Sequence, residues 1–155
     1  MELKTKVNAE NDRQELLITR EFELPVELLF KAYVEPAIVE QWMGTKVVWL
    51  ESKQHGSYRF ETSDANDHVV FSANGTIHTC IDDQLIVRTF EMENTAFPAQ
   101  LECLEFEKLT EHTSRLTMQI IYRSVAVRDQ VLKMPFARGI SMAHDRLQEI
   151  VQRIH

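Results

Sequence analysis

The sequence predicts an α+β fold: a curved antiparallel β-sheet of about six or seven strands wrapped around a long C-terminal α-helix, with two short helices after the first strand. Three observations predict it. Apolar residues fall at Phe136, Ile140, Ala143, Leu147, Ile150 and Ile154, a spacing that draws one stripe along a helix. From Val47 to Arg123 the pattern is mostly strands separated by short polar turns. Between the first strand and that run stand two short apolar-faced segments, each opened by a proline. A single helix cannot bury its own stripe, and strands joined in a row pair as an antiparallel meander, so the helix lies on the sheet.

Taken in order, Leu16 to Phe22 reads as a strand with Leu16, Ile18, Arg20 and Phe22 on one face. Arg20 reads as an arginine near a sheet edge, its stem packed and its head in water; the sharper alternative is a cation at the rim of a cavity. Leu24-Pro25 opens a helix whose face is Val26, Leu29, Phe30 and Tyr33. Pro36 opens the second, with Ile38, Val39, Trp42 and Met43 on its apolar side and Gly44 as its stop. Strands follow over 46–50, 56–62, 69–81, 85–92, 99–109 and 115–122. A bulge or bend is expected at Asn74-Gly75, and another where the apolar phase changes between Cys103 and Leu104. Ser124 caps a short helix that runs to Met134, and Pro135 separates it from the long one. On the long helix, Arg138, Asp145, Gln148, Glu149 and Gln152 are expected to face water.

The bulk numbers exclude several classes. A chain of 155 residues with 44% hydrophobic and 26% charged content is expected to form one domain with its own core. A net charge of -7 argues against duplex nucleic acid and against anionic lipid surfaces. The polar first residues lack a signal-peptide core, and no apolar run approaches a membrane span. Cys80 and Cys103 are expected as free thiols in a reducing cytoplasm.

Chemistry is sparse. Four glycines leave no nucleotide-binding loop, and neither a nucleophile elbow nor a paired-histidine zinc helix is present in the sequence. His78 and Cys80 would share a strand face, but two ligands do not make a metal site. Glu102, Glu105 and Glu107 read as a solvated edge. No catalytic residue, metal ligand or cofactor site is assigned. His144 borders the helix stripe, and His78 lies on a strand that could face it. Met118, Met134 and Met142 are adaptable apolar groups, and Tyr58 and Tyr122 put polar tips on apolar faces. The plain alternative for all of them is ordinary core packing.

The run Arg20-Glu-Phe-Glu-Leu-Pro25, Phe30-Lys-Ala-Tyr33, Glu35-Pro36 and Gln41-Trp42-Met43-Gly44 resembles the opening of activator-of-heat-shock-protein-90-ATPase-like domains. These belong to the START-related, Bet v 1-like helix-grip superfamily. Gly56 to Phe60, Gly75 to His78, Ile86 to Glu91, Thr113 to Thr117 and Gly139 through Arg146-Leu147 continue the resemblance in order. It implies a curved sheet gripping the long helix around an apolar cavity. Met43, Thr45, Thr79 and Met142-Ala143 depart from the family pattern, toward a more apolar pocket. The candidate lining is Trp42, Tyr58, Phe60, His78, Met118, Tyr122, Met134, Ile140, Ala143 and His144. The leading expectation is therefore a cytoplasmic binder of a hydrophobic small molecule or lipid-like ligand. Two other readings stand beside it: a chaperone-activating or stress-related interaction module, and a cyclase- or hydrolase-type enzyme using His78, His144 or Arg20. Nucleic acid and membrane insertion are not expected, and the edge strands leave a homodimer open.

Overall fold

The computed structural model of the protein describes residues 3–154. Eight strands and four helices follow in the order β1 (Lys6–Asn8), β2 (Glu15–Phe22), α1 (Val26–Val34), α2 (Pro36–Met43), β3 (Lys46–Leu50), β4 (Ser57–Ser63), β5 (Val69–Ile81), β6 (Leu85–Met92), β7 (Gln100–Lys108), β8 (Ser114–Ile121), α3 (Val125–Lys133) and α4 (Phe136–Ile154). The strands form one antiparallel sheet in the order β1-β2-β8-β7-β6-β5-β4-β3. The α1–α2 pair carries the chain from β2 to the far edge, and the meander from β3 to β8 brings it back beside β2. The strand beyond the expected six or seven is β1. Its three residues, Lys-Val-Asn, are too few and too polar to show a period.

The local signals act as their chemistry requires. Pro36 occupies the first turn of α2, and Gly44 ends that helix in the left-handed region at φ 65°. Pro25 stands one position earlier than expected, as the extended residue before α1. Ser124 accepts a hydrogen bond from the Val127 amide and caps α3.

Of two expected irregularities, one lies elsewhere and the other is not formed. The register of β5 on β6 shifts between Ile77 and Thr79, not at Asn74-Gly75. Gly75 serves close approach instead. It faces Tyr58 across the β4–β5 pair, and a Cβ there would sit 2.5 Å from the phenol and 2.0 Å from the Thr89 carbonyl. β7 pairs without a bulge on both sides. The apparent phase change at Cys103-Leu104 arises because Glu102, not an apolar residue, occupies the inward position before Leu104 and Phe106.

The core lies between the sheet's inner face and the helices. Leu16, Ile18 and Phe22 of β2, Leu104 and Phe106 of β7, and Leu116, Met118 and Ile120 of β8 are buried with Leu29, Phe30 and Tyr33 of α1 and Leu147 and Val151 of α4. Phe30, Tyr33 and Phe106 meet edge to face, with ring centroids 5.1 and 5.6 Å apart. α4 packs against all three other helices.

Candidate functional site

α4 is covered unevenly. Residues seven apart on a helix share a face, so Ala137, His144 and Val151 form one row. His144 is 0% and Val151 1% exposed, whereas Ala137 is exposed. The neighbouring row repeats this: Leu147 is fully buried while Ile140 is half-buried. The C-terminal half is also tied down by polar contacts. Gln148 is buried rather than facing water, because its amide pairs with one backbone unit: Oε1 accepts from the Glu23 N–H at 2.9 Å and Nε2 donates to the Glu23 carbonyl at 3.4 Å. Arg146 donates to the Trp42 carbonyl near the end of α2. At the other end, the buried Arg128 of α3 donates to the carbonyls of Glu10 and Glu15. The N-terminal half of α4 thus hangs between two anchored ends with its inward face partly bare.

Two buried polar groups interrupt the apolar interior. The first is on the sheet. The cross-strand row Leu16, Ile120, Glu102, Arg88 and Ile77 runs over five strands, and its centre is an ion pair. Arg88 Nε donates to Glu102 Oε1 at 3.0 Å, and the two residues are 7% and 5% exposed. Gln100 donates to the other Glu102 oxygen, and the Arg88 guanidinium lies 5.2 Å from the centre of the Tyr58 ring. Burial pushes the phenols of Tyr33, Tyr58 and Tyr122 up, so all three stay protonated. Removing one partner of such a pair strands a buried charge, at a cost of about 3–5 kcal/mol.

The second group is built around His144. Arg20 is only 4% exposed, contrary to the expectation of a head in water. Its NH1 lies 2.8 Å from an Asp145 oxygen and 3.4 Å from Thr5 Oγ1, and its guanidinium is 5.2 Å from the Phe22 ring centre. Thr5 Oγ1 lies 2.8 Å from His144 Nδ1. Phe22 closes the imidazole edge to face at 5.7 Å. Burial first, and then the Arg20 charge, pull the His144 pKa down to about 4, against the opposing pull of Asp145. The imidazole is therefore neutral at neutral pH.

The ten candidate residues divide. Tyr58 and Phe60 lie side by side on β4, Met118 points inward from β8, and Tyr122 is buried just beyond that strand. Ile140, Ala143 and His144 lie on the inward side of α4, with only His144 fully covered. Tyr58 donates to the Thr89 carbonyl, so its polar tip is satisfied locally. Trp42 is buried in the helix corner, its indole N–H on the Ala32 carbonyl and its ring against Tyr33. Met134 is exposed at the α3–α4 joint, and Met142 is exposed on the outer side of α4. His78 does not face His144. Ile77 takes the inward position, which turns His78 to the outer surface beside His55. His78 and His144 therefore form no acid–base pair. Cys80 and Cys103 are free and half-buried, and burial raises both thiol pKa values.

Sequence reasoning missed Arg88 and Thr5 and reads the buried Glu102 as solvated. Two of them carried a signal. Arg88 is in phase with Ile86 and Phe90, and Glu102 with Leu104 and Phe106, so opposite charges sit on the apolar faces of successive strands.

The family profile described as activator of Hsp90 ATPase homolog 1-like protein matches residues 23–152. By sequence, none of the curated proteins matches. Among solved structures, protein Ms6760 from Mycobacterium smegmatis superposes with a TM-score of 0.83 at 22% identity, covering 95% of this chain and 96% of that one. A Rhodobacter sphaeroides protein gives 0.86 at 16% identity, over 97% and 99% of the chains. One from Arthrobacter aurescens gives 0.84 at 14%, over 96% and 91%. These likenesses establish the helix-grip arrangement.

Proposed function

Because the chain belongs to the activator of Hsp90 ATPase homolog 1-like family, we propose that it is a cytoplasmic binding protein for a hydrophobic or lipid-like small molecule. The ligand is held without covalent chemistry between the concave sheet face and the N-terminal half of α4. The observation that carries this reading is the uneven cover of one helix row: Ala137 exposed, His144 and Val151 buried. An apolar inward face left partly bare next to a completed core is a seat for an apolar body. The half-buried Phe136, Ile140 and Ala143 supply that face from the helix, and Met118 and Tyr122 supply the apolar wall from the sheet side. The Arg88–Glu102 pair supplies fixed polarity within it.

The test is the native mass of gently purified protein against its denatured mass, before and after incubation with a lipid extract of the expression host. A discrete extra mass that disappears on denaturation, and is lost in Ala143→Trp, is expected. Bare polypeptide mass in both samples overturns the reading.

One observation favours a second reading, an interaction module acting on a chaperone ATPase. Val69, Val70 and Phe71 form an exposed apolar run at the start of β5. An unchanged chaperone ATPase rate on adding the protein removes that reading.

A further inference from the structure

A hydrogen-bonded chain runs from Asp145 through Arg20 and Thr5 to His144 Nδ1. Arg20 can only donate, so when its NH1 meets Thr5 Oγ1 the hydroxyl oxygen acts as acceptor. The hydroxyl hydrogen is then free to point at His144 Nδ1, 2.8 Å away. In the arrangement in which Nδ1 accepts that hydrogen, the single N–H of the neutral imidazole is at Nε2. Asp145, on the far side of Arg20, holds the guanidinium in place from the solvent side. Among the described residues, no acceptor lies within hydrogen-bonding distance of Nε2, although the atom is fully buried. Buried donors are almost always paired, so an unpaired one needs a reason.

Position supplies the reason. A helical side chain leans toward the turn N-terminal to its own Cα, which for His144 is the turn that holds Ile140 and Ser141. That turn belongs to the partly bare half of α4, and His144 is the first fully covered residue after it. An apolar molecule seated under Phe136 and Ile140 would meet the imidazole as a polar stop at its inner end.

We propose that His144 Nε2–H is the hydrogen-bond donor that recognises a carbonyl-type oxygen on the ligand, preset for that role by the Asp145–Arg20–Thr5 relay. The inference rests on the binding reading above and adds to it the chemistry of the ligand's polar end. A neutral acceptor fits, because the Arg20 charge is already matched by Asp145.

The experiment uses the full chain and two fluorescent probes with a common apolar body: prodan, which carries a ketone, and 2-dimethylaminonaphthalene, which lacks it. Wild type is expected to bind prodan about tenfold more tightly than His144→Phe, and to bind the ketone-free probe as that variant does. Imidazole ¹⁵N shifts of wild type are expected to report the Nε2–H tautomer and to move when prodan is added. Thr5→Val, which cuts the relay while leaving His144, is expected to weaken prodan binding and mix the tautomers. The tautomer measurement on wild type needs no variant to fold. A Nδ1–H tautomer overturns the donor assignment. Equal prodan affinity in wild type and His144→Phe, with both probes bound, overturns the role of His144 and leaves the pocket standing. Failure of both probes to bind any form overturns the pocket as well.

Discussion

The two halves of α4 show the same apolar stripe under different cover. In the C-terminal half Leu147 and Val151 are sealed, although Ile150 is half-buried and Ile154 exposed; Gln148 is locked to a backbone unit, and Arg146 reaches across to α2. In the N-terminal half Phe136, Ile140 and Ala143 are half-buried, Ala137 is exposed, and Gly139 has open space where a Cβ would stand. The periodicity is continuous through both. Amphipathic spacing therefore fixes the direction in which a helix faces, while the depth of cover is decided by what the rest of the fold brings beneath it. One half is a structural rivet. The other is only partly covered.

The largest effect separates the halves directly. Leu147→Ala should cost about 3–4 kcal/mol of unfolding free energy, as expected for a sealed core leucine, and Ile140→Ala about 1 kcal/mol or less. Urea denaturation of the two variants measures this, and equal losses would erase the distinction.

The junction residue gives the next effect. The folded-state pKa of His144 is depressed to about 4, below the unfolded value of about 6.5, so the unfolded chain binds the extra proton first. Its contribution to stability is present above pH 6.5 and is lost as the pH falls toward 4. Between pH 7 and pH 5 the wild type should lose about 2 kcal/mol more than His144→Phe. Parallel pH profiles would mean that the imidazole accepts a proton in the fold.

Gln148→Ala should cost about 1–2 kcal/mol, because the Glu23 amide loses its acceptor in a partly buried setting. Thermal unfolding would show it, and a silent substitution would mean the rivet lies in apolar packing alone. The smallest effect has the opposite sign. Gly139→Ala should raise stability by up to about 1 kcal/mol, since a glycine in the first turn of α4 is replaced without a clash. A loss instead would place other atoms against the open half.

The fold was legible because its signals are local: prolines at two helix starts, Gly44 and Ser124 at caps, a four–three stripe, and strands with Tyr58 and Phe60 or Leu116 and Met118 in step. The candidate site was legible only where it repeats those signals, as at Ile140, Ala143 and Met118. Arg20, Glu102 and Gln148 were misread as solvated because a single polar residue reads as solvated until its partner is known. Those partners, Asp145, Arg88 and Glu23, come from register and packing between distant segments. His78 was misassigned by proximity in the pattern: one step along a strand reverses the face.

The bond between Thr5 and His144 joins positions 139 residues apart. On a ribosome the two are made on the order of ten seconds apart, so the first strand emerges long before the helix it instructs. The proton arrangement inside the protein is thus among the last features that synthesis can complete. A change at Thr5 alone would rewire an imidazole 139 positions along the chain.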